Sequence, residues 1–141
     1  MVAAVCAWHE HHRAAAAEVN RRLALNEPMV LAAPALVEAY AVLTRLPPPH
    51  RLSTTDASAV LDASFLAAGK VLALDPGSYR RMLRQLAIDG IAGGQAYDAV
   101  IANCAVKGKA SAILTFNARH FLSLAPAEIE IVVPGASAPL S

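Results

Sequence analysis

The chain has 141 residues, 56% of them hydrophobic, with a net charge of +1 and a mean hydropathy of +0.42. That length suits one domain with one proper core, and the near-neutral balance argues against a protein that grips nucleic acid by bulk charge, leaving only a local basic patch for such a role. There is no run of about 18 apolar residues to cross a membrane, and two cysteines, Cys6 and Cys104, make neither a disulfide framework nor a metal-ligand spacing.

Met1 to Trp8 is apolar but short. It lacks a basic leader and runs into His9-Glu10-His11-His12-Arg13, so it is not expected to be a signal peptide. With two thiols expected to be reduced, a cytoplasmic location follows. His9, His11 and His12 lack the Cys or carboxylate partners of a metal site and are expected on a solvated helix face. That helix runs from His9 to about Leu25, with Val19 and Leu23 as an i,i+4 apolar pair. Asn26-Glu27-Pro28 ends it, and Met29–Ala32 fits a short buried strand.

Pro34 suits the first residue of a helix reaching about Leu46. One stripe holds Leu36, Tyr40 and Leu43; the adjacent one holds Val37, Ala41 and Thr44. Glu38 is the only charge between Glu27 and Arg45, and Pro47-Pro48-Pro49 stops the helix. Ser53-Thr54-Thr55-Asp56 resembles a capping box with Asp in place of Glu or Gln. The helix behind it carries Val60, Leu61 and Phe65 and is expected to end with Gly69 at its C′ position. Val71–Leu74 is predicted as a second buried strand.

Asp75-Pro76-Gly77-Ser78 leads into a helix with an apolar stripe of Tyr79, Met82, Leu83, Leu86 and Ala87, expected to be core, and Gly90 closes it. Gly93-Gly94 precede the helix that carries Asp98 and runs to about Lys107. Ala112–Phe116 is the strongest strand signal. Asn117–Phe121 is a turn or short helix, and Ile129–Val133 a last strand. Residues 1–134 are expected to form the domain and 135–141 a loose tail.

Short apolar strands alternating with helices imply an α/β fold, a parallel sheet covered on both faces. Ligands in such folds sit outside the carboxyl ends of the strands. Asn117 immediately follows a strand, Asp98 lies in the first turn of the helix feeding it, and Glu38 lies in the first half of the helix after the Met29 strand. All three are expected to converge on one end of the sheet.

Asp98 is the only charge between Asp89 and Lys107. A carboxylate in apolar surroundings costs several kcal/mol unless something pairs with it. Asp98 either caps its own helix or holds a cation. Glu38 either pairs with a distant Arg or Lys or holds a cation. Hard oxygen ligands suit Mg²⁺ or Mn²⁺, which need few protein carboxylates and can activate water for attack on a phosphoryl group. Asn117 is either a turn residue or an aid to a metal-bound water. Thr115 offers a hydroxyl beside it. Arg119 and His120 are either ordinary exposed residues or contacts to RNA phosphates.

Three segments carry a resemblance: Pro34-Ala35-Leu36-Val37-Glu38 through Arg45, Tyr97-Asp98-Ala99-Val100-Ile101-Ala102, and Leu114-Thr115-Phe116-Asn117-Ala118-Arg119-His120-Phe121. Together, and in this order over nearly the whole chain, they resemble PIN-domain ribonucleases, most closely the toxins of the VapC kind. The resemblance implies a three-layer fold with a parallel sheet flanked by helices, and Mg²⁺-dependent RNA cleavage, with Mn²⁺ as an alternative ion. Glu38 and Asp98 match two of the family's acidic positions, and Asn117 stands where many members have Asp.

Family members open with a hydrophobic central strand ending in a metal-binding Asp. Here Met1–Val5 matches the segment after that Asp, so the first central strand and first carboxylate are expected to be missing from this sequence. The resemblance further implies an RNA substrate, a cognate antitoxin and a homodimer, with no membrane. A PIN-like module that binds an antitoxin without cutting RNA is one alternative. A small-molecule-binding α/β domain is another, weakened because no glycine-rich phosphate loop follows a strand.

Overall fold

The computed structural model describes residues 1–136; residues 137–141, most of the expected tail, lie outside the described residues. The chain forms two compact units, Met1–Val71 and Leu72–Ser141.

The first unit opens with a four-residue helix, α1 (Val2–Val5), followed by α2 (His12–Ala24). The longer helix starts at His12 rather than at His9. The turn between the two is tied by His12, whose Nδ1 donates to the Ala3 carbonyl at 3.0 Å, and by His9, whose Nδ1 accepts the His11 N–H at 3.1 Å. These histidines organise the entry to α2 and do not form a solvated helix face. Trp8 stacks on His50 with ring centroids 4.2 Å apart. At its other end α2 closes on Asn26, at φ +57, with the Glu27 N–H donating to the Arg22 carbonyl at 3.1 Å. That is the Schellman arrangement, with asparagine in the left-handed position.

Strand β1 (Met29–Ala32) passes directly into α3 (Ala33–Arg45). Helix α4 (Thr54–Leu61) is capped by Ser53, whose Oγ accepts the Asp56 N–H at 3.0 Å and donates to Asp56 Oδ2 at 2.7 Å. The Asp56 side chain meets the serine hydroxyl, whereas the Glu of a full capping box reaches back to the cap residue's N–H. A π-helical turn over Asp62–Leu66 follows and carries Phe65 into the core. That core consists of Cys6, Leu31, Ala39, Leu43, Ala57, Leu61 and Phe65.

Strand β2 (Gly69–Leu72) pairs with β1. Gly69 is thus the first residue of a strand, not the C′ residue of a helix. A Cβ there would lie 2.5 Å from Leu31 Cδ1 and 2.9 Å from the Phe65 carbonyl oxygen, so close backbone approach is what the glycine permits. The strand expected at Val71–Leu74 begins two residues earlier. Val71 is exposed, and the buried residue is Leu74, beyond the strand's end.

In the second unit Asp75 caps α5 (Pro76–Ile88), its Oδ1 accepting the Ser78 N–H at 2.9 Å. Pro76 occupies the first turn, where its missing N–H costs nothing. Only Met82 and Leu86 of the expected stripe are fully buried; Tyr79 is half-buried, and Leu83 and Ala87 are exposed. Gly90 at φ +67, with the Ile91 N–H on the Leu86 carbonyl at 2.9 Å, closes the helix as expected.

Helix α6 (Gln95–Lys107) buries Ala99, Val100, Ala102, Cys104 and Ala105. Strand β3 (Ala112–Leu114), the four-residue α7 (Ala118–Phe121) and β4 (Glu130–Val132) follow. β3 and β4 are parallel, with Ala112 opposite Glu130, Ile113 opposite Ile131 and Leu114 opposite Val132. Ala102, Ala105, Ile113, Phe121 and Ile129 form the core between them and α6. The described strands make two two-stranded sheets, β1–β2 and β3–β4.

Candidate active site

The second unit brings the Asp98 and Asn117 segments together. Gly93, at φ +62, and Gly94 lead into α6, and no side chain caps the helix N-terminus. Asp98 lies in its first turn, facing α7. Its side chain is 19% exposed, and its Oδ2 lies 2.8 Å from Nδ1 of His120, which is 40% exposed. A carboxylate only accepts, so the imidazole carries its proton on Nδ1. Asp98 therefore does not cap its own helix; the partner that its half-burial requires is a histidine 22 positions away in sequence. Oδ1 has no hydrogen bond among the described residues.

Asn117 precedes α7 and is exposed. Its backbone N–H donates to Thr115 Oγ1 at 3.0 Å, and its carbonyl accepts the His120 N–H at 3.0 Å. The Thr115–Asn117 turn is thereby fixed to the short helix that carries His120. Arg119, on the same helix, is exposed.

Glu38 belongs to the first unit. It was expected to be a carboxylate among buried apolar neighbours. Instead it is exposed on α3, beside Val37, which is 70% exposed, and near Tyr40 and Ala41, both exposed as well. The buried side of α3 is Ala39 and Leu43. A solvated carboxylate carries its charge at little cost, so burial gives Glu38 no need of a cation.

Sequence reasoning missed the role of His120 as Asp98's partner. A sequence signal existed: His120 was already a candidate for RNA contact, three positions beyond Asn117. Cys6 and Cys104 are free and buried, and burial pushes both thiols up. That suits packing and not reactivity.

The family model described as PIN domain matches residues 1–125, and the chain belongs to the PIN-domain family. Among curated proteins it is similar to Ribonuclease VapC40 of Mycobacterium tuberculosis strain CDC 1551 / Oshkosh, at 43% identity over 101 residues, covering 72% of this chain and 69% of that one. Ribonuclease VapC40 of strain ATCC 25618 / H37Rv matches equally. Ribonuclease VapC27 of the latter strain is 37% identical over 108 residues, covering 77% of this chain and 66% of that relative. No solved structure gives a significant match.

PIN ribonucleases are metal-dependent, and the donor chemistry here can be tested against that. Among the described residues no group of three or more His, Cys, Asp or Glu is arranged to hold a metal ion, so there is no all-protein cage. Mg²⁺ and Mn²⁺ do not require one, since such ions keep several waters and take one or two carboxylates. Asp98, with a hard oxygen free of hydrogen bonds, fits that mode of binding. No helix is long and apolar enough to cross a membrane among the described residues.

Proposed function

We propose that this protein is a metal-dependent endoribonuclease of the VapC kind, which hydrolyses RNA phosphodiester bonds. The observation that carries the reading is Asp98: a half-buried carboxylate at a helix start, held on one oxygen by His120 and open on the other. The similarity to proteins named as VapC ribonucleases supports it.

Asp98 and Glu38 are each proposed as metal-ligating carboxylates, Glu38 on its place in the sequence alone. Mg²⁺, or Mn²⁺ in its stead, would supply a polarised water and offset charge on the phosphoryl group. Asn117 would orient a water or a substrate oxygen, and Thr115 would donate its hydroxyl proton nearby. Arg119 would meet the RNA backbone, where its fork matches phosphate oxygens. The expected setting is a cytoplasmic toxin, held in check by a cognate antitoxin and acting as a homodimer.

The test is cleavage of a mixed RNA substrate by the purified chain in Mg²⁺, compared with D98A. Cleavage by the parent and none by D98A is the expected result. A second reading is favoured by the lack of a carboxylate cluster among the described residues: a PIN-domain module that binds an antitoxin without cutting RNA. Equal inactivity of both proteins, with antitoxin binding retained, would select it.

A further inference from the structure

The Asp98–His120 contact does more than satisfy a half-buried charge. It is a side-chain hydrogen bond from α7 to α6, and it joins the two segments on which the candidate site stands. On the α6 side, Asp98 projects from the first turn, and its carboxylate is free to rotate unless one oxygen is held. On the α7 side, His120 is tied by its own N–H to the Asn117 carbonyl at 3.0 Å, and its carbonyl accepts Ser123 Oγ at 3.3 Å. Asn117 is tied in turn to Thr115. A carboxylate held on Oδ2 has one oxygen left, and Oδ1 is that oxygen.

Resting on the metal-dependent reading above, we propose that His120 is a positioning residue. Its Nδ1–H fixes the Asp98 carboxylate so that Oδ1 is presented to the divalent cation. The expected contact between His120 and RNA phosphate is replaced by this role. Hydrogen-bond partners of metal-ligating carboxylates set the orientation of the ligand, and their loss typically costs about 10- to 100-fold in metal affinity or activity. The same bond, with Phe121 in one core with Ala102 and Ala105, holds the Asn117 turn against α6.

The experiment uses the full chain and two readouts independent of turnover. The first is the dissociation constant for Mn²⁺, followed by the electron paramagnetic resonance signal of the free ion, for the parent, D98A, H120A, H120N and H120Q. The asparagine amide lies near the position of Nδ1 and the glutamine amide near that of Nε2. The expected result is about a 10- to 100-fold weakening in H120A, most of it recovered in H120N and not in H120Q. The second readout is the ring ¹⁵N shifts of His120 in metal-free protein, which should show a protonated Nδ1.

Unchanged Mn²⁺ affinity in H120A, recovery by H120Q in place of H120N, or a bare Nδ1 would overturn the proposal. If H120A does not fold, the contrast between H120N and H120Q and the ¹⁵N shifts decide it. Loss of Mn²⁺ binding in D98A with no change in H120A overturns the role of His120 alone. Unchanged binding in D98A overturns the metal reading of the site as well.

Discussion

Acidification should weaken the first unit through one residue, Glu18. Its Oε1 accepts from Arg21 Nη2 at 2.8 Å and Arg22 Nε at 2.7 Å, and its Oε2 accepts from Arg21 Nε at 2.9 Å. Arg22 also reaches Glu27 at 2.7 Å. The hydrogen bonding from Arg21 is the largest cause, followed by the bond from Arg22, that holds the Glu18 carboxyl at about 2, down from 4.5.

At about 1.4 kcal/mol per pH unit that difference has a ceiling of about 3 kcal/mol. Arg21 is 52% exposed, so solvent screens much of its share, and about 1 kcal/mol is the expected contribution. Because the folded value is the lower one, this stability is fully present above about pH 5. It is lost as the pH falls from the unfolded value towards the folded one.

Urea unfolding followed by fluorescence isolates the effect, since Trp8, the chain's single tryptophan, lies in the same unit. E18Q should be less stable than the parent by about 1 kcal/mol at pH 7 and indistinguishable from it near pH 2. A difference that stays constant across that range would show that the ion pairs contribute nothing and that the substitution acts through packing.

Other outcomes follow from single contacts. Gly69→Ala drives a methyl against buried Leu31 and the Phe65 carbonyl oxygen; the side chain can shift but the backbone oxygen resists, so urea unfolding should show a loss of about 2 kcal/mol. Leu43 is 0% exposed, and Leu43→Ala should cost about 2–5 kcal/mol by the same measurement. RNA cleavage should stop on addition of EDTA and return with excess Mn²⁺, read by gel with a fluorescent RNA; cleavage that persists in EDTA would count against the metal-dependent reading.

Local chemistry made much of this fold legible in the sequence. Ser53 and Asp75 cap helices, Pro76 enters one, and Asn26 and Gly90 leave others, because each acts within four residues of itself. Errors arose where a distant neighbour decides. Gly69 suits a helix C′ position, yet it begins a strand that pairs with β1, whose Leu31 closes on it. Leu83 shares an apolar stripe with Met82 and Leu86, but the elements packed on α5 cover only the latter two.

Glu38 has apolar neighbours in sequence and solvent around it in space. A parallel sheet is what the alternation of strands and helices predicts, and β3 and β4 are parallel, each two residues shorter than its apolar run. The π-helical turn at Asp62–Leu66 has no sequence signature. The partner of Asp98 was hidden for the same reason as Gly69's neighbour: His120 is 22 positions away, with a strand between them.

Glu18 and Asp98 together separate a structural carboxylate from one suited to a ligand. Their side chains are nearly equally covered, 16% and 19% exposed. The protein satisfies them differently, one by side chains alone and the other by a side chain on one oxygen only. Glu18 has three hydrogen bonds from two guanidinium groups. Asp98 has one, from a neutral-capable imidazole to a single oxygen. The helix start around it adds a favourable field for negative charge but no hydrogen bond to the side chain. A fold that needed Asp98 only as a tie to α7 would do as well with a neutral donor–acceptor pair, which carries no charge to desolvate. No buried side-chain oxygen lacks a hydrogen-bond partner among the described residues, so Oδ1 of Asp98 faces solvent, and a solvent-facing carboxylate oxygen beside a helix start is open to a hydrated cation.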